Sequence, residues 1–173
     1  FVSNPKEDTI TYFSRIGTKD QPSYSLKYGL VDNDTNNDGI IEDSEKASLR
    51  RVTERSAFTF VGEEMKEVAT YGVEDLNSDG TLKTGASPNS ITYFQRLNGT
   101  DQPDYSVSFD TAGAVSGASD FDFDPTTGFM NWVKSYPASQ VTSTADAVTG
   151  KMAYGFVSNP KEDTITYFSR IGT

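Results

Sequence analysis

One segment of eighteen residues occurs twice in this chain: residues 1–18 and residues 156–173 both read FVSNPKEDTITYFSRIGT. This repeat constrains the fold more than any other feature, because both copies must suit the same local structure. Three origins remain open: a tandem array of which the chain holds one repeat and the start of the next, an engineered chain in which a terminal strand was copied to complete a sheet, and a filament subunit that shares a segment with its neighbour. Each origin predicts that the copied segment is a β-strand.

A weaker repeat lies inside the chain. Residues 10–15 (ITYFSR) recur as residues 91–96 (ITYFQR), and the match continues with DQP at 20–22 and again at 101–103. A repeated block of this length indicates a repeated supersecondary unit. We therefore predict one domain over 1–173 built from two diverged half-units, about 9–85 and 90–155, followed by 156–173 as the start of a next repeat or a duplicated strand.

Strand-forming residues and turn residues predict a mainly antiparallel β fold. Residues 9–16 are rich in β-branched and aromatic side chains and end at Gly17, which indicates a strand. We predict hairpins over 9–30 and 90–109, the first with its turn at Asp20-Gln21-Pro22, and a further strand over 164–171. Residues 110–120 are rich in Gly, Ala and Ser and are predicted to form a loop. A short strand is expected to follow over 120–124 and to end before Pro125.

Residues 44–71 show a different pattern. Apolar residues recur there at intervals of three and four, with acidic residues and lysine between them, and Gly72 follows as a helix stop. We predict a helix over about 57–70, with a start nearer residue 44 left open and a strand left open at Phe58 and Phe60. The expected fold class is α+β: mainly antiparallel β sheet with one helix and calcium-binding loops.

The composition excludes several function classes. The chain has no Cys and no His, so thiol or His-assisted nucleophiles, disulfides and most zinc sites are excluded. A net charge of −10 repels phosphate, so nucleic acid is not expected as a partner. The sequence lacks an apolar run near the ~20 residues of a membrane span, so membrane insertion is not expected. We predict a protein that is not an enzyme and has no catalytic residues.

Residues 34–45 (DTNNDGIIEDSE) match the twelve-residue EF-hand loop. Such a loop places oxygen ligands at positions 1, 3, 5, 7, 9 and 12 and a glycine at position 6, because Ca²⁺ binds six to eight hard oxygens around a sharp turn. Gly39 occupies position 6, and Ile40 offers its carbonyl at position 7. The predicted ligands are Asp34, Asn36, Asp38, Ile40, Glu42 and Glu45. The alternative is an Asx-rich turn without an ion.

A second, less complete loop begins at Asp75. Its predicted ligands are Asp75, Asn77, Asp79 and Thr81. Position 12 is Ala86, so the bidentate acid is missing and an Asx turn is the alternative. A strand is expected to enter the first loop where an EF-hand has a helix. The first loop therefore resembles the EF-hand-like loops of bacterial surface proteins, which implies a structural role for the bound calcium rather than a sensor role.

One stretch also resembles the globular region of W-type minor pilins, which are type IV pilin-like proteins. The resemblance lies in Arg55–Phe58 through Glu63-Glu64-Met65, then Ala69-Thr70-Tyr71-Gly72, then Ser90-Ile91-Thr92-Tyr93. It implies a cell-surface filament or one of its relatives. The hydrophobic helix of pilins has no counterpart in residues 1–173.

These observations together predict an extracellular or cell-surface structural module. It would be a calcium-stabilised repeat or subunit of a bacterial surface filament, pilus-like fibre or adhesin stalk. Its expected partners are copies of itself or neighbouring repeats, joined by strand pairing. The alternative is a carbohydrate-binding or ligand-binding adhesin domain, in which Tyr24, Tyr105 or Trp132 would stack on a surface glycan.

Overall fold

Strands account for nearly all of the regular structure. The computed structural model describes residues 8–30, 50–147 and 151–169, without the side chains of Leu30 and Arg50. The strands are β1 (Thr9–Ile16), β2 (Lys19–Leu30), β3 (Arg50–Val61), β4 (Glu64–Gly72), β5 (Ser90–Leu97), β6 (Thr100–Phe109), β7 (Val115–Phe123), β8 (Met130–Pro137), β9 (Val141–Ala145), β10 (Met152–Phe156) and β11 (Thr164–Tyr167). Two 3₁₀ turns, Val73–Asp75 and Ala138–Gln140, complete the assignment.

Nine strands form one sheet in the order β1-β2-β3-β4-β5-β6-β7-β8-β11, and β9 and β10 form a two-stranded sheet. Neighbours through β8 therefore follow chain order, as in a β-meander. The last neighbour differs, because β11 pairs with β8 rather than with β10. The order places β1 and β11, which belong to the two identical segments, at the two ends of the large sheet.

The predicted helix is wrong. Residues 57–70 form the end of β3, a tight turn and most of β4, so the described residues are nearly all β and the fold class is not α+β. Gly62 at the turn has φ +62°, a left-handed conformation that ends a strand rather than continuing a helix. The apolar residues recur at threes and fours because β3 and β4 follow each other closely along the chain. Their combined spacing imitates one face of a helix. An earlier start falls partly on residues 44–49, which lie outside the described residues, while Arg50 and Arg51 belong to β3.

The predicted hairpins over 9–30 and 90–109 are confirmed, although the first turn is placed differently. Ile16 faces Lys19 in the register, so Gly17 and Thr18 make the turn and Asp20–Pro22 lie inside β2. Gly17 has φ +64° and supplies the positive φ of a two-residue turn. A strand is also confirmed within 164–171, as the shorter β11. The predicted loop over 110–120 is wrong from Val115 onward, because β7 begins there, but β7 ends at Phe123 as the following Asp124-Pro125 predicts.

The chain divides into two compact units: Phe1–Phe58 with Thr70–Pro88, and Thr59–Ala69 with Asn89–Thr173. The first unit has a core of Leu26, Val52 and Leu76, with Tyr24, Tyr28 and Tyr71 packed against it. In the second unit Val107, Ala118 and Tyr136 are buried. Leu26 and Val107 are at equivalent positions of the internal repeat, so each half-unit places a buried aliphatic side chain at the same point of its second strand.

Candidate functional site

The two repeated hairpins have the same geometry. In the first, Thr9 faces Lys27 and Tyr12 faces Tyr24. In the second, the residues 81 positions later face each other in the same register, from Ser90 and Ser108 to Leu97 and Thr100. The register shifts after Tyr12 in one hairpin and after Tyr93 in the other. The internal sequence repeat is therefore a repeat of structure, including its irregularity.

The irregularity is a β-bulge that a proline fits. Phe13 faces Pro22 and Phe94 faces Pro103. Proline has no N–H to donate to a strand ladder, so it is tolerated at a bulge. On the other side of each bulge two tyrosine rings stack: the ring centroids of Tyr12 and Tyr24 are 4.5 Å apart. The equivalent Tyr93 and Tyr105 rings are 4.6 Å apart.

An ion pair closes each hairpin near its turn. Arg15 Nε donates to Asp20 Oδ1 at 2.9 Å, and both side chains are well exposed. Arg96 Nη1 donates to Asp101 Oδ1 at 2.8 Å, where the carboxylate side chain is only 18% exposed. Asp101 Oδ2 also accepts from the backbone N–H of Met65 at 3.2 Å. The Arg96 hydrogen bond, followed by that from Met65, holds the pKa of Asp101 below its usual range.

The second copy of the duplicated segment begins with a core contact and continues as an edge strand. Phe156, its first residue, packs against Tyr105 and Tyr136 with ring centroids 5.8 Å and 4.8 Å away. Further along, β11 pairs antiparallel with β8, from Thr164 opposite Ser135 to Tyr167 opposite Trp132. The identical segment thus joins the end of β10 to the last strand of the large sheet.

The backbone shows which side of each copy is paired. Directly before β1, the Asp8 carbonyl accepts from Tyr28 N–H in β2 at 2.8 Å. Because alternate residues of a strand direct their N–H and C=O groups to opposite sides, the groups of Thr9, Thr11 and Phe13 are directed away from β2. We call these groups the β1 edge. β1 is the terminal strand of the sheet as described, so no described strand pairs with this edge.

β11 uses that same set of groups. Phe168, the copy of Phe13, donates its N–H to the Asn131 carbonyl at 2.9 Å. By the same alternation, Thr164 and Thr166 also face β8. At the start of the strand, where the chain bends, Asp163 N–H donates to the Ser135 carbonyl at 2.8 Å. The side of β8 that receives these bonds, Asn131–Ser135, is called the β8 edge.

Burial agrees with this assignment. β1 and β11 have the same pattern over their shared residues, in which only the isoleucine is half-buried. The equivalent β5, which has neighbours on both sides, is half-buried at seven of its eight positions. Tyr167 is 73% exposed, whereas Tyr12, which stacks on Tyr24, is 39% exposed. β1 therefore has a described neighbour only on its β2 side and β11 only on its β8 side, whereas β5 has neighbours on both sides.

The aromatic residues predicted as a glycan surface contact other parts of the protein. Tyr24 stacks on Tyr12, and the Arg55 guanidinium lies 4.0 Å from the Tyr24 ring centroid. Tyr105 stacks on Tyr93 and donates its hydroxyl hydrogen to the Tyr154 carbonyl at 2.8 Å. Trp132 lies under the Lys134 ammonium at 4.5 Å. These contacts account for the positions of the rings without a ligand, and the glycan site stays a prediction.

The first calcium loop lies outside the described residues. This applies to all six predicted ligands: Asp34, Asn36, Asp38, Ile40, Glu42 and Glu45. The second loop is described and begins at Asp75. It is closed by a bridge between Leu76 and Leu82 and by Asn77 N–H donating to the Thr81 carbonyl at 2.8 Å.

Several polar groups of the second loop form hydrogen bonds within the protein. Asp79 Oδ1 accepts from the Thr81 hydroxyl at 2.7 Å and from the Thr81 N–H at 3.0 Å, and these bonds lower the Asp79 pKa. Asn77 Nδ2 donates to Thr81 Oγ1 at 2.9 Å, and Asp75 Oδ1 accepts from Ser87 N–H at 3.2 Å. Across residues 8–30, 50–147 and 151–169, no three His, Cys, Asp or Glu side chains group as a metal site. The contacts of Asp79 with Thr81 are those of an Asx turn, and calcium binding by the second loop stays a prediction.

Sequence reasoning missed two parts of this arrangement. It did not assign a role to the ion pairs of the hairpins, although an arginine followed five residues later by an aspartate occurs in both half-units. It also did not find the β8 edge, because Asn131–Ser135 contains no repeat or turn signal that would mark it as the partner of the copied segment.

Comparisons with known proteins give no relative: no protein-family model, curated protein or solved structure matches this chain. In the part of the chain that the structure describes, no helix has the length and apolar character to cross a membrane.

Proposed function

We propose that this chain is a non-enzymatic structural module of a repetitive extracellular protein, in which the β sheet of one repeat continues into the next. The observation that carries the proposal is the position of the two identical segments. One forms the first strand of the nine-stranded sheet and the other forms the last. A sheet that begins and ends with the same strand sequence can be extended by repetition without a change in its local structure.

The repeated hairpins support this proposal. β5 has the same register, bulge and ion pair as β1 and is paired on both sides, with β4 and with β6. The chain therefore contains an example of a strand of this type inside a continuous sheet. A fibre, a stalk or a pilus-like filament is the class of assembly that uses such an extension, and calcium held by residues 34–45 would stabilise each repeat.

A tandem chain tests the proposal. Residues 1–155 followed by residues 1–173 place a full β1–β2 hairpin where β11 now ends the sheet. We expect one cooperative thermal transition, at a higher temperature than that of the single chain, because each added repeat gains an interface with its neighbour. The measurement is differential scanning calorimetry of both chains at equal mass concentration. Two independent transitions, or one at the temperature of the single chain, would contradict a continuous sheet.

A matched control separates pairing from simple linkage. The control is the same tandem chain with Thr166→Pro, numbered from the start of the tandem chain. This residue lies in the strand that joins the two repeats, and its N–H is directed at β8 of the first repeat. Proline removes the N–H that pairs there. We expect this variant to lose the increase in transition temperature while keeping the β-sheet circular dichroism of the two repeats.

A further inference from the structure

Three candidates stand out in the described residues: the pocket beside Val52 and Leu76, the half-buried aspartates Asp104 and Asp120, and the β8 edge with β11 on it. Nothing else in the described residues points to a ligand for the pocket or for the aspartates. The β8 edge does point to a partner, because the strand that occupies it, β11, has the same sequence as β1 at the other end of the sheet.

We propose that the β8 edge is the docking site for β1 of a second copy of this chain, and that β11 is a plug that occupies the site within the same chain. The second copy would pair in the register that β11 shows, with Thr9 opposite Ser135 and Tyr12 opposite Trp132. This inference rests on the proposed function and adds to it the edge, the partner strand and a competing occupant.

The hydrogen-bonding groups are complementary. β1 pairs with β2 through the groups of alternate residues that include Asp8, and the β1 edge consists of the other set. β11 binds the β8 edge with the copies of that other set, including Phe168 in place of Phe13. A second chain can therefore present its β1 to β8 without giving up its own β1–β2 pairing.

The β1 hairpin is better prepared for this site than β11. In the proposed register β1 would lie opposite β8 from Thr9 at Ser135 to Ser14 at Met130, whereas β11 pairs only from Thr164 to Tyr167. β1 is already ordered by β2, by the tyrosine stack and by the Arg15–Asp20 ion pair, so docking it orders few new residues.

β11 has the advantage of being in the same chain. A strand linked by a short segment to its site acts at an effective concentration in the millimolar range. A second copy at micromolar concentration competes poorly with such a plug. Release of β11 is therefore expected to change the chain from a monomer into a head-to-tail assembly, because each copy then has one open β8 edge and one β1 edge.

Two variants of the whole chain test this inference. The first ends at Ser158, which removes β11 and keeps Phe156. The second is the intact chain with Thr166→Pro, which removes an N–H directed at β8. For both we expect association at concentrations about a hundredfold lower than for the unchanged chain, measured by sedimentation velocity. Far-ultraviolet circular dichroism and thermal melting verify that both variants are folded.

The matched control is the same substitution at the identical residue of the first copy. Thr11→Pro removes an N–H from the β1 edge and leaves the β1–β2 bonds in place. In the chain that ends at Ser158, we expect Thr11→Pro to restore the monomer. Addition of the peptide FVSNPKEDTITYFSRIGT to the truncated chain without Thr11→Pro should also restore the monomer, because the peptide would occupy the β8 edge. A scrambled peptide should not.

The possible results separate this inference from the proposed function. If both folded variants stay monomeric up to millimolar concentration, or if association persists with Thr11→Pro, the β8 edge is not the docking site for β1 and the inference is overturned. Cooperative melting of the tandem chain would still stand in that case as evidence for a continuous sheet. Loss of cooperative melting would contradict the proposed function, whatever the truncated chain does.

Discussion

Asp20 and Asp101 hold the same place in the two repeated hairpins but have different surroundings. Each accepts from the arginine five residues earlier. Only Asp101 accepts in addition from a backbone N–H, that of Met65, and its side chain is far less exposed than that of Asp20. Exposed ion pairs contribute little because water screens them, whereas a shielded carboxylate with two donors contributes more.

We expect Asp101→Asn to destabilise the protein by about 1–2 kcal/mol and Asp20→Asn by less than about 0.5 kcal/mol. The two substitutions are matched in chemistry and in strand position, so their difference isolates the surroundings. Urea unfolding followed by circular dichroism measures both. Equal losses would show that the Met65 hydrogen bond and the lower exposure contribute nothing.

The lowered pKa of Asp101 predicts the pH dependence of this effect. The hydrogen bond from Arg96 favours the charged carboxylate in the folded protein, so its stabilisation is present above the ordinary aspartate pKa of about 3.9 and is lost as the pH falls through the lower folded value. The difference in free energy of unfolding between the unchanged protein and Asp101→Asn should therefore be constant near neutral pH and shrink in acid. A difference that grows in acid would contradict this sign.

At the scale of elements, the loop after β4 covers the core of the first unit. Gly80 in this loop has φ +82°, and a Cβ at its position would lie 2.8 Å from Leu26 Cδ1 and 3.3 Å from Val52 Cγ2. Arg55 Nη1 donates to the Gly80 carbonyl at 3.0 Å and fixes the loop against β3. The loop is therefore part of the packing of the first unit.

We expect Gly80→Ala to destabilise the protein by about 2–4 kcal/mol, because it combines a left-handed backbone with overpacking. Gly85 provides the control: it has φ +79° and an added Cβ there would meet nothing within 4 Å. Gly85→Ala should cost about 1 kcal/mol, from the backbone alone. Thermal denaturation of both variants measures the difference. Equal costs would mean that the loop does not press on Leu26.

The sequence predicted the hairpins well and the region after the first calcium loop badly, for identifiable reasons. Repetition located β5 and β6, and the Asn98-Gly99 turn agrees with them, since both residues have positive φ as a two-residue hairpin turn requires. Through residues 53–58 and all of β4, by contrast, every residue is half-buried, and half-buried residues alternate with exposed ones only at the end of β3. Without the alternation of a one-sided strand, spacing alone favoured a helix.

At the scale of the whole molecule, calcium is expected to contribute to stability through residues 34–45. Ligand binding to the folded state alone adds about 2.7 kcal/mol at a hundred times the dissociation constant. We expect chelator to lower the melting temperature by roughly 5–10 °C for a chain of this size. Calorimetry with millimolar calcium and with chelator measures this shift.

The control for calcium is Glu45→Gln, which removes the acid expected at position 12. This variant should melt at the chelated temperature in either solution, while Asp20→Asn, which lies outside both loops, should keep the calcium response. A protein whose melting temperature does not respond to calcium would contradict the predicted staple.

The sequence could predict that the copied segment is a strand, but not where it binds. Identity between residues 1–18 and 156–173 is visible in the letters. The partner of β11 could not be read in this way, because β8 is reached across the intervening β9–β10 hairpin. The choice between the two sides of the strand depends on which backbone groups pair, and that information exists only in three dimensions.

Trp132 faces Tyr167 across the β8–β11 pairing and is the only tryptophan of the chain. Its indole is therefore an intrinsic fluorophore located where the terminal copy is held. Departure of β11 would admit solvent on one side of the ring and move its emission to longer wavelength. Tryptophan fluorescence can thus follow the pairing of β11 with β8 in real time and without a label.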